Sequence, residues 1–198
     1  GLDPVSATHL FELYWNTVNL TWQLTYRPAV MDSLLNGGSY MNKLLLNAIY
    51  LSASLHSDRS EVGGKPAEGS MPGSRFYARF CQLLADELDH PSVPTATALL
   101  LCGSSLVCLG KPGTGRTLCE IAIMMVRGLG CHHAAGASCG QVVDTTPLLA
   151  DVDAEVRKHL YLGSYCIDVF LSLYLGHKPT IDGPDLEQIY ADSVLRHI

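Results

Sequence analysis

The sequence predicts an all-α fold, a multi-helix bundle of stacked helical hairpins. Three observations predict it: apolar residues recur at spacings of three and four, strict alternation of β-branched residues is almost absent, and glycine and proline cut the chain into helix-sized lengths. Hydrophobic residues make up 47% of the chain and charged residues 16%, which is too apolar and too weakly charged for a disordered tail. The whole span, residues 1–198, reads as one domain, because this length can bury a core and no part of it carries enough helices to bury itself.

The first helix is expected from Ser6, as N-cap, to Leu20, with Leu10, Leu13, Tyr14 and Val18 on one face. A connector holding Tyr26, Arg27 and Pro28 leads to a short helix over Ala29–Leu35 that Asn36, Gly37 and Gly38 end. Tyr40–Leu55 follows, its wide apolar face implying burial on more than one side. Residues 57–73 hold four glycines and two prolines with few apolar residues, and are expected to form a flexible surface loop.

Ser74 is expected to cap a helix through Phe76, Phe80, Leu83, Leu84 and Leu88, stopped by His90 and Pro91. Thr95–Leu109 is strongly apolar. After a break at Gly110–Gly113 the helical period resumes over Thr114–Leu129, and Gly130 closes it. A polar loop over 133–150 precedes the longest helix, from Asp151 or Asp153 to Leu175, which Gly176 and Pro179 end. Asp185 is expected to cap a last helix over Glu187–His197, with the domain continuing past residue 198.

Thirteen basic against nineteen acidic residues give a net charge of −6, so the chain lacks the basic footprint that a phosphate backbone requires. Its densest basic cluster, Arg157, Lys158 and His159, reads as a solvated helix end. Seven cysteines without a C-x-x-C pair read as reduced core thiols, and no secretory leader pattern is present, so an intracellular compartment is expected. Leu160–Gly176 is too short to cross a membrane and carries Asp168 near its middle, so no membrane partner is expected.

Gly110–Thr117 differs from the phosphate-binding pattern G-x-x-x-x-G-K-[ST] at one position, where Arg116 replaces the lysine. Without strands there is no βα turn for it to occupy, so it reads as a glycine-rich turn between helices, with a phosphate-binding enzyme as the remote alternative. Cys131, His132, His133 and Cys139 are metal-ligand types, but adjacent His132 and His133 fit no ordinary zinc spacing, and no metal is assigned. No G-x-S-x-G occurs, no catalytic residue is assigned, and the chain reads as a non-enzyme. Asp168, between Ile167 and Val169 with Ser164 and Ser172 one turn to each side, is expected to pair with a cation such as Arg27 across the helix packing.

Four segments carry a family pattern. They are Leu10, Tyr14 and Val18 with the Tyr26-Arg27-Pro28 corner; Pro91-Ser92 before an apolar helix; Leu129-Gly130-Cys131-His132; and Glu155, Arg157, Lys158, Leu160, Tyr161, Ile167, Asp168, Ser172, Gly176, Lys178 and Pro179. In this order they resemble the fungal-specific transcription factor domain, the middle homology region of fungal binuclear zinc-cluster transcription factors. Arg116, Glu120 and Cys131 depart from it, standing where tryptophan, glycine and leucine are usual.

The resemblance implies an all-helical regulatory domain of a nuclear protein, with Arg27, Pro28, Gly130, His132, Asp168, Ser172, Gly176 and Pro179 as structural motif positions. It implies no cofactor in this segment, zinc in a separate domain that contacts DNA, and regulation through a small-molecule effector, a homodimer or a coregulator protein. The alternative is an architectural dimerisation or scaffold module that senses no ligand.

Overall fold

A computed structural model describes residues 2–58, 71–134 and 147–181, and every regular element among them is helical. Most of the loop expected over 57–73, most of that over 133–150 and all of the last expected helix lie outside the described residues.

Helix α1 spans Pro4–Leu13 and opens earlier than expected, because Asp3-Pro4 supplies two start signals together. Asp3 Oδ1 accepts the Ser6 amide at 2.9 Å, so Asp3 is the N-cap and Ser6 is the residue it caps. Pro4 stands in the first turn, where its missing N–H leaves no gap in the hydrogen-bond ladder.

The helix continues through a π-helical turn, Tyr14–Val18, into α2, Asn19–Trp22. The wider turn sets Asn19 opposite the returning chain: its Oδ1 accepts the Thr25 amide at 3.1 Å and the Thr25 hydroxyl at 2.7 Å. Tyr14, fully buried, closes this cluster with a 2.9 Å hydroxyl contact to Thr25 Oγ1, and burial pushes its phenol pKa up. Gln23 ends α2 in the left-handed region at φ 49°. Helix α3, Arg27–Asn36, then begins with Pro28 in its first turn and stops at Gly37.

Helix α4, Lys43–Ser54, starts three residues after the predicted Tyr40 start, because Asn42 is the cap and accepts the Leu45 amide at 2.8 Å. Asn42 Nδ2 also donates to Glu87 Oε2 at 2.8 Å and to Thr95 Oγ1 at 3.1 Å. The start of α4, the end of α5 (Ser74–Leu88) and the start of α6 (Val93–Cys108) therefore meet at one hydrogen-bonded node. Ser74, the expected cap, is instead the first helical residue, and Gly73, left-handed at φ 68°, precedes α5. At α6 the cap is Ser92, whose hydroxyl accepts the Thr95 amide at 3.4 Å.

Helix α6 is the centre of the bundle, with every residue from Pro94 to Val107 buried. Leu99, Leu100 and Leu101 are consecutive, so they point to different sides of one helix and are surrounded on all of them. Each stabilises the fold by about 1.5–3 kcal/mol through transfer alone. Helices α4 and α7 (Pro112–Gly128) cover most of α6, while α5 and α9 (Pro147–Leu175) also touch it. Consecutive helices α4 and α5, then α6 and α7, pack as hairpins, as the stacked-hairpin pattern predicts.

The glycine-rich stretch has a packing role. Gly110, at φ 76°, turns the chain, and α7 begins at Pro112, so Gly113–Thr117 is already helical. A Cβ on Gly115 would lie 2.5 Å from the Gly103 carbonyl oxygen and 2.7 Å from Val107 Cγ2, while one on Gly103 would lie 2.6 Å from the Gly115 oxygen. The two backbones are in contact here, and this overturns the phosphate-loop reading: no strand precedes the turn, and Gly115 faces a helix.

After α7, Gly130 at φ 70° reverses the chain into the short α8, Cys131–Ala134. The cysteines do not all behave as core thiols, since Cys102, Cys119 and Cys131 are buried but Cys81, Cys108 and Cys166 are exposed.

Candidate functional site

Two polar anchors on α9 bring together part of the sequence pattern: Leu129, Cys131 and Arg157 at one, Asp168, Ser172 and Gly176 at the other. At the first, Arg157 Nη1 donates to the Leu129 carbonyl at 2.8 Å, closing the C-terminal end of α7. Its Nε donates to Asp153 Oδ2 at 2.5 Å, and the Tyr40 hydroxyl donates to Asp153 Oδ1 at 3.1 Å. The Leu129-Gly130-Cys131-His132 segment and the α9 segment therefore meet through one guanidinium. Cys131 is buried beside it; burial pushes the thiol pKa up, and Arg157 partly offsets this.

The basic cluster is thus no solvated helix end. It lies within α9; His159 Nδ1 donates to the Gln23 carbonyl at 2.9 Å and stacks with Tyr26 at 5.7 Å, while Lys158 lies 3.9 Å from Glu155. Arg157 and His159 hold carbonyls that helix ends leave open, a use that clustering in the sequence alone does not reveal.

At the second anchor, buried Asp168 accepts the amides of Thr180 at 2.6 Å and Ile181 at 2.7 Å, both on Oδ2. Arg127 Nη2 donates to the Thr180 carbonyl at 2.5 Å, so that peptide is held from both sides. Gly176, at φ 71°, ends α9, and the His177 amide bonds the Ser172 carbonyl at 2.8 Å, bringing the chain back over the helix. The expected pairing of Asp168 with Arg27 does not occur. Arg27 lies 5.4 Å above the Trp15 ring, and the carboxylate is satisfied by backbone donors instead.

Beside Asp168, a small recess between α7 and α9 is lined by Cys119, Ile123, Leu171 and Ser172, together with Arg116 and Glu120, which are ion-paired at 2.7 Å. The two departures from the family pattern on α7 therefore satisfy each other one turn apart. Burial, with the carboxylates of Asp168 and Glu120 adding to it, pushes the Cys119 thiol up to about 12. That thiol stays protonated at neutral pH and is no nucleophile.

Arg27, Pro28 and Lys178 are exposed, Gly130 is half-buried, His132 is exposed on α8, and Pro179 lies at the exposed return. They are spread over three corners of the bundle. Arg127, Tyr40, Asp153 and the Gly103–Gly115 contact were not found from sequence, because each depends on a partner between 12 and 113 residues away. Among the described residues no group of three or more histidine, cysteine or acidic side chains is placed to hold a metal ion.

Side chains of this kind, spent on helix ends and backbone amides, define a helical module built to hold a shape. The chain matches the fungal specific transcription factor domain over residues 11–191, and it belongs to that family. It is 29% identical over 141 residues to the uncharacterized transcriptional regulatory protein C777.02 of Schizosaccharomyces pombe, covering 69% of this chain and 22% of that protein. It is 25% identical over 145 residues to the uncharacterized transcriptional regulatory protein C757.04 of the same organism, covering 73% and 21%. The match thus spans about a fifth of the length of these relatives. No solved structure matches the chain significantly. The family and both relatives are named for the regulation of transcription.

Proposed function

We propose that residues 1–198 form one regulatory domain of a nuclear transcription regulator, reaching DNA through a separate zinc-containing domain and controlling activity through an effector or a protein partner. The observation that carries this reading is the family match over residues 11–191, supported by two relatives named as transcriptional regulatory proteins. The net charge of −6 supports placing the DNA contact elsewhere in the polypeptide.

The module acts without catalysis and needs no cofactor of its own. Supporting this, the Asp168 carboxylate is engaged by two amides and the Cys119 thiol is held protonated. Arg27, Pro28, Gly130, His132, Asp168, Ser172, Gly176 and Pro179 serve as structural positions that keep the bundle in one arrangement. An effector or partner acts by shifting how the helices pack. No helix among the described residues is long and apolar enough to cross a membrane, and no membrane partner is proposed.

In the full-length regulator, deleting residues 1–198 while keeping the DNA-binding domain changes the output of a reporter driven by its own binding sites severalfold. Output equal to wild type contradicts the proposal.

A second reading, an architectural dimerisation module that senses nothing, is favoured by the exposed apolar face of α9. Thermal-shift measurements with metabolite mixtures separate the two, because a bound effector raises the melting temperature and a scaffold shows no such rise.

A further inference from the structure

Asp168 and Ser172 lie one turn apart on α9, are only 6% and 4% exposed, and both line the recess between α7 and α9. The two amides that hold the Asp168 carboxylate both bond Oδ2, so Oδ1 accepts nothing from the described residues. The Ser172 hydroxyl is likewise unused among the described residues, whereas every other buried serine and threonine there has its hydroxyl in a hydrogen bond. Buried polar atoms left open are rare, because each forfeits the hydrogen bond it had in water. Asp168 also forms no ion pair among the described residues. Arg116, in the recess, pairs with Glu120 at 2.7 Å, and Arg127 bonds the Thr180 carbonyl. The recess thus holds two carboxylates against one guanidinium, and the buried carboxylate lacks a counter-charge.

We propose that this recess binds the ammonium head of a small primary amine. It has room for one group the size of a water molecule, which an ammonium head matches and a guanidinium or quaternary ammonium exceeds. An ammonium brings three N–H donors, and the acceptors are Asp168 Oδ1, the Ser172 hydroxyl and the Glu120 carboxylate at the half-exposed edge. Ile123 and Leu171 supply an apolar wall for the stem of the amine. Other occupants fit less well. Water satisfies the hydrogen bonds but leaves the charge unpaired, an anion meets the Asp168 carboxylate, and a bare metal ion needs about six oxygen ligands. Bound here, the amine bridges α7 and α9 through Glu120 and Asp168.

The inference rests on the effector reading above and names the chemical class of the effector. It is measured on the purified chain, whereas the reporter reads transcription in cells, so either can fail without the other.

n-Butylammonium chloride at about 10 mM is expected to raise the melting temperature by about 2–4 °C, in a titration that saturates. At the same concentration 1-butanol, which has the stem without the charge, leaves it unchanged. So do potassium chloride and tetramethylammonium chloride, which have the charge without the N–H donors. Ser172→Ala weakens amine binding about tenfold and leaves the melting temperature of the free chain unchanged, because the hydroxyl it removes holds nothing among the described residues. Asp168→Asn removes the charge and abolishes the response; where its lower stability prevents the measurement, Ser172→Ala decides alone. No saturable shift with n-butylammonium, an equal shift with potassium or tetramethylammonium, or a shift that Ser172→Ala leaves intact overturns the proposal.

Discussion

Gly115→Ala lowers the stability of the bundle by about 3 kcal/mol, read as a shift in the urea midpoint with unchanged slope. The added methyl meets a backbone carbonyl at 2.5 Å and Val107 Cγ2 at 2.7 Å, and the carbonyl has no rotamer through which to yield. Helices α6 and α7 must separate, which loosens the contacts of Leu106, Leu118, Cys119 and Ala122, all buried. Gly103→Ala acts on the same contact from the other helix, so the two substitutions together cost less than their sum. Gly113→Ala is the control: a Cβ there meets nothing within 4 Å, and in the first turn of α7 it is neutral or slightly stabilising. Equal effects at positions 113 and 115 would mean that α6 and α7 do not touch through these glycines.

Asp168→Ala has the second largest effect, about 3 kcal/mol, because two amides lose a charged acceptor while the chain around them stays packed. Asp168→Asn keeps one carbonyl acceptor in place and is expected to cost about 1–2 kcal/mol. The damage is local before it is global. Hydrogen exchange at Thr180 and Ile181 accelerates in Asp168→Ala well beyond that at Leu99–Leu101 in the centre of α6. Uniform acceleration across the chain would show that the carboxylate supports the whole core instead of the return after α9.

The elements themselves were legible in the sequence, because their apolar faces follow the helical period and α6 is apolar all round. Their starts were less so. Ser6 and Ser74 have the right chemistry for caps, but Asp3-Pro4 and Gly73 precede them and take the role. The π-helical turn left no signal, since one extra residue in a turn barely disturbs the spacing of Leu10, Tyr14 and Val18.

At the candidate site, Asp168 stands out in the sequence as a charge in an apolar helix, but a cation such as Arg27 is the partner that residue types alone suggest. The donors are backbone amides 12 and 13 residues on, and an amide has no signature in a sequence. Arg157 reads from sequence as part of a solvated end for the same reason, its acceptor being the carbonyl of Leu129. Gly115 resembles a phosphate-loop position in sequence, although the reason for a glycine there is the facing Gly103, which only the packing of two helices reveals.

If this bundle sets transcriptional output while another part of the protein holds DNA, as proposed, DNA occupancy and transcript levels measured in the same cells separate the two roles. With the full-length regulator carrying Asp168→Ala at matched protein levels, unchanged occupancy and a severalfold change in transcripts are expected. Occupancy that falls in step with the transcripts, or no change in either, would contradict it.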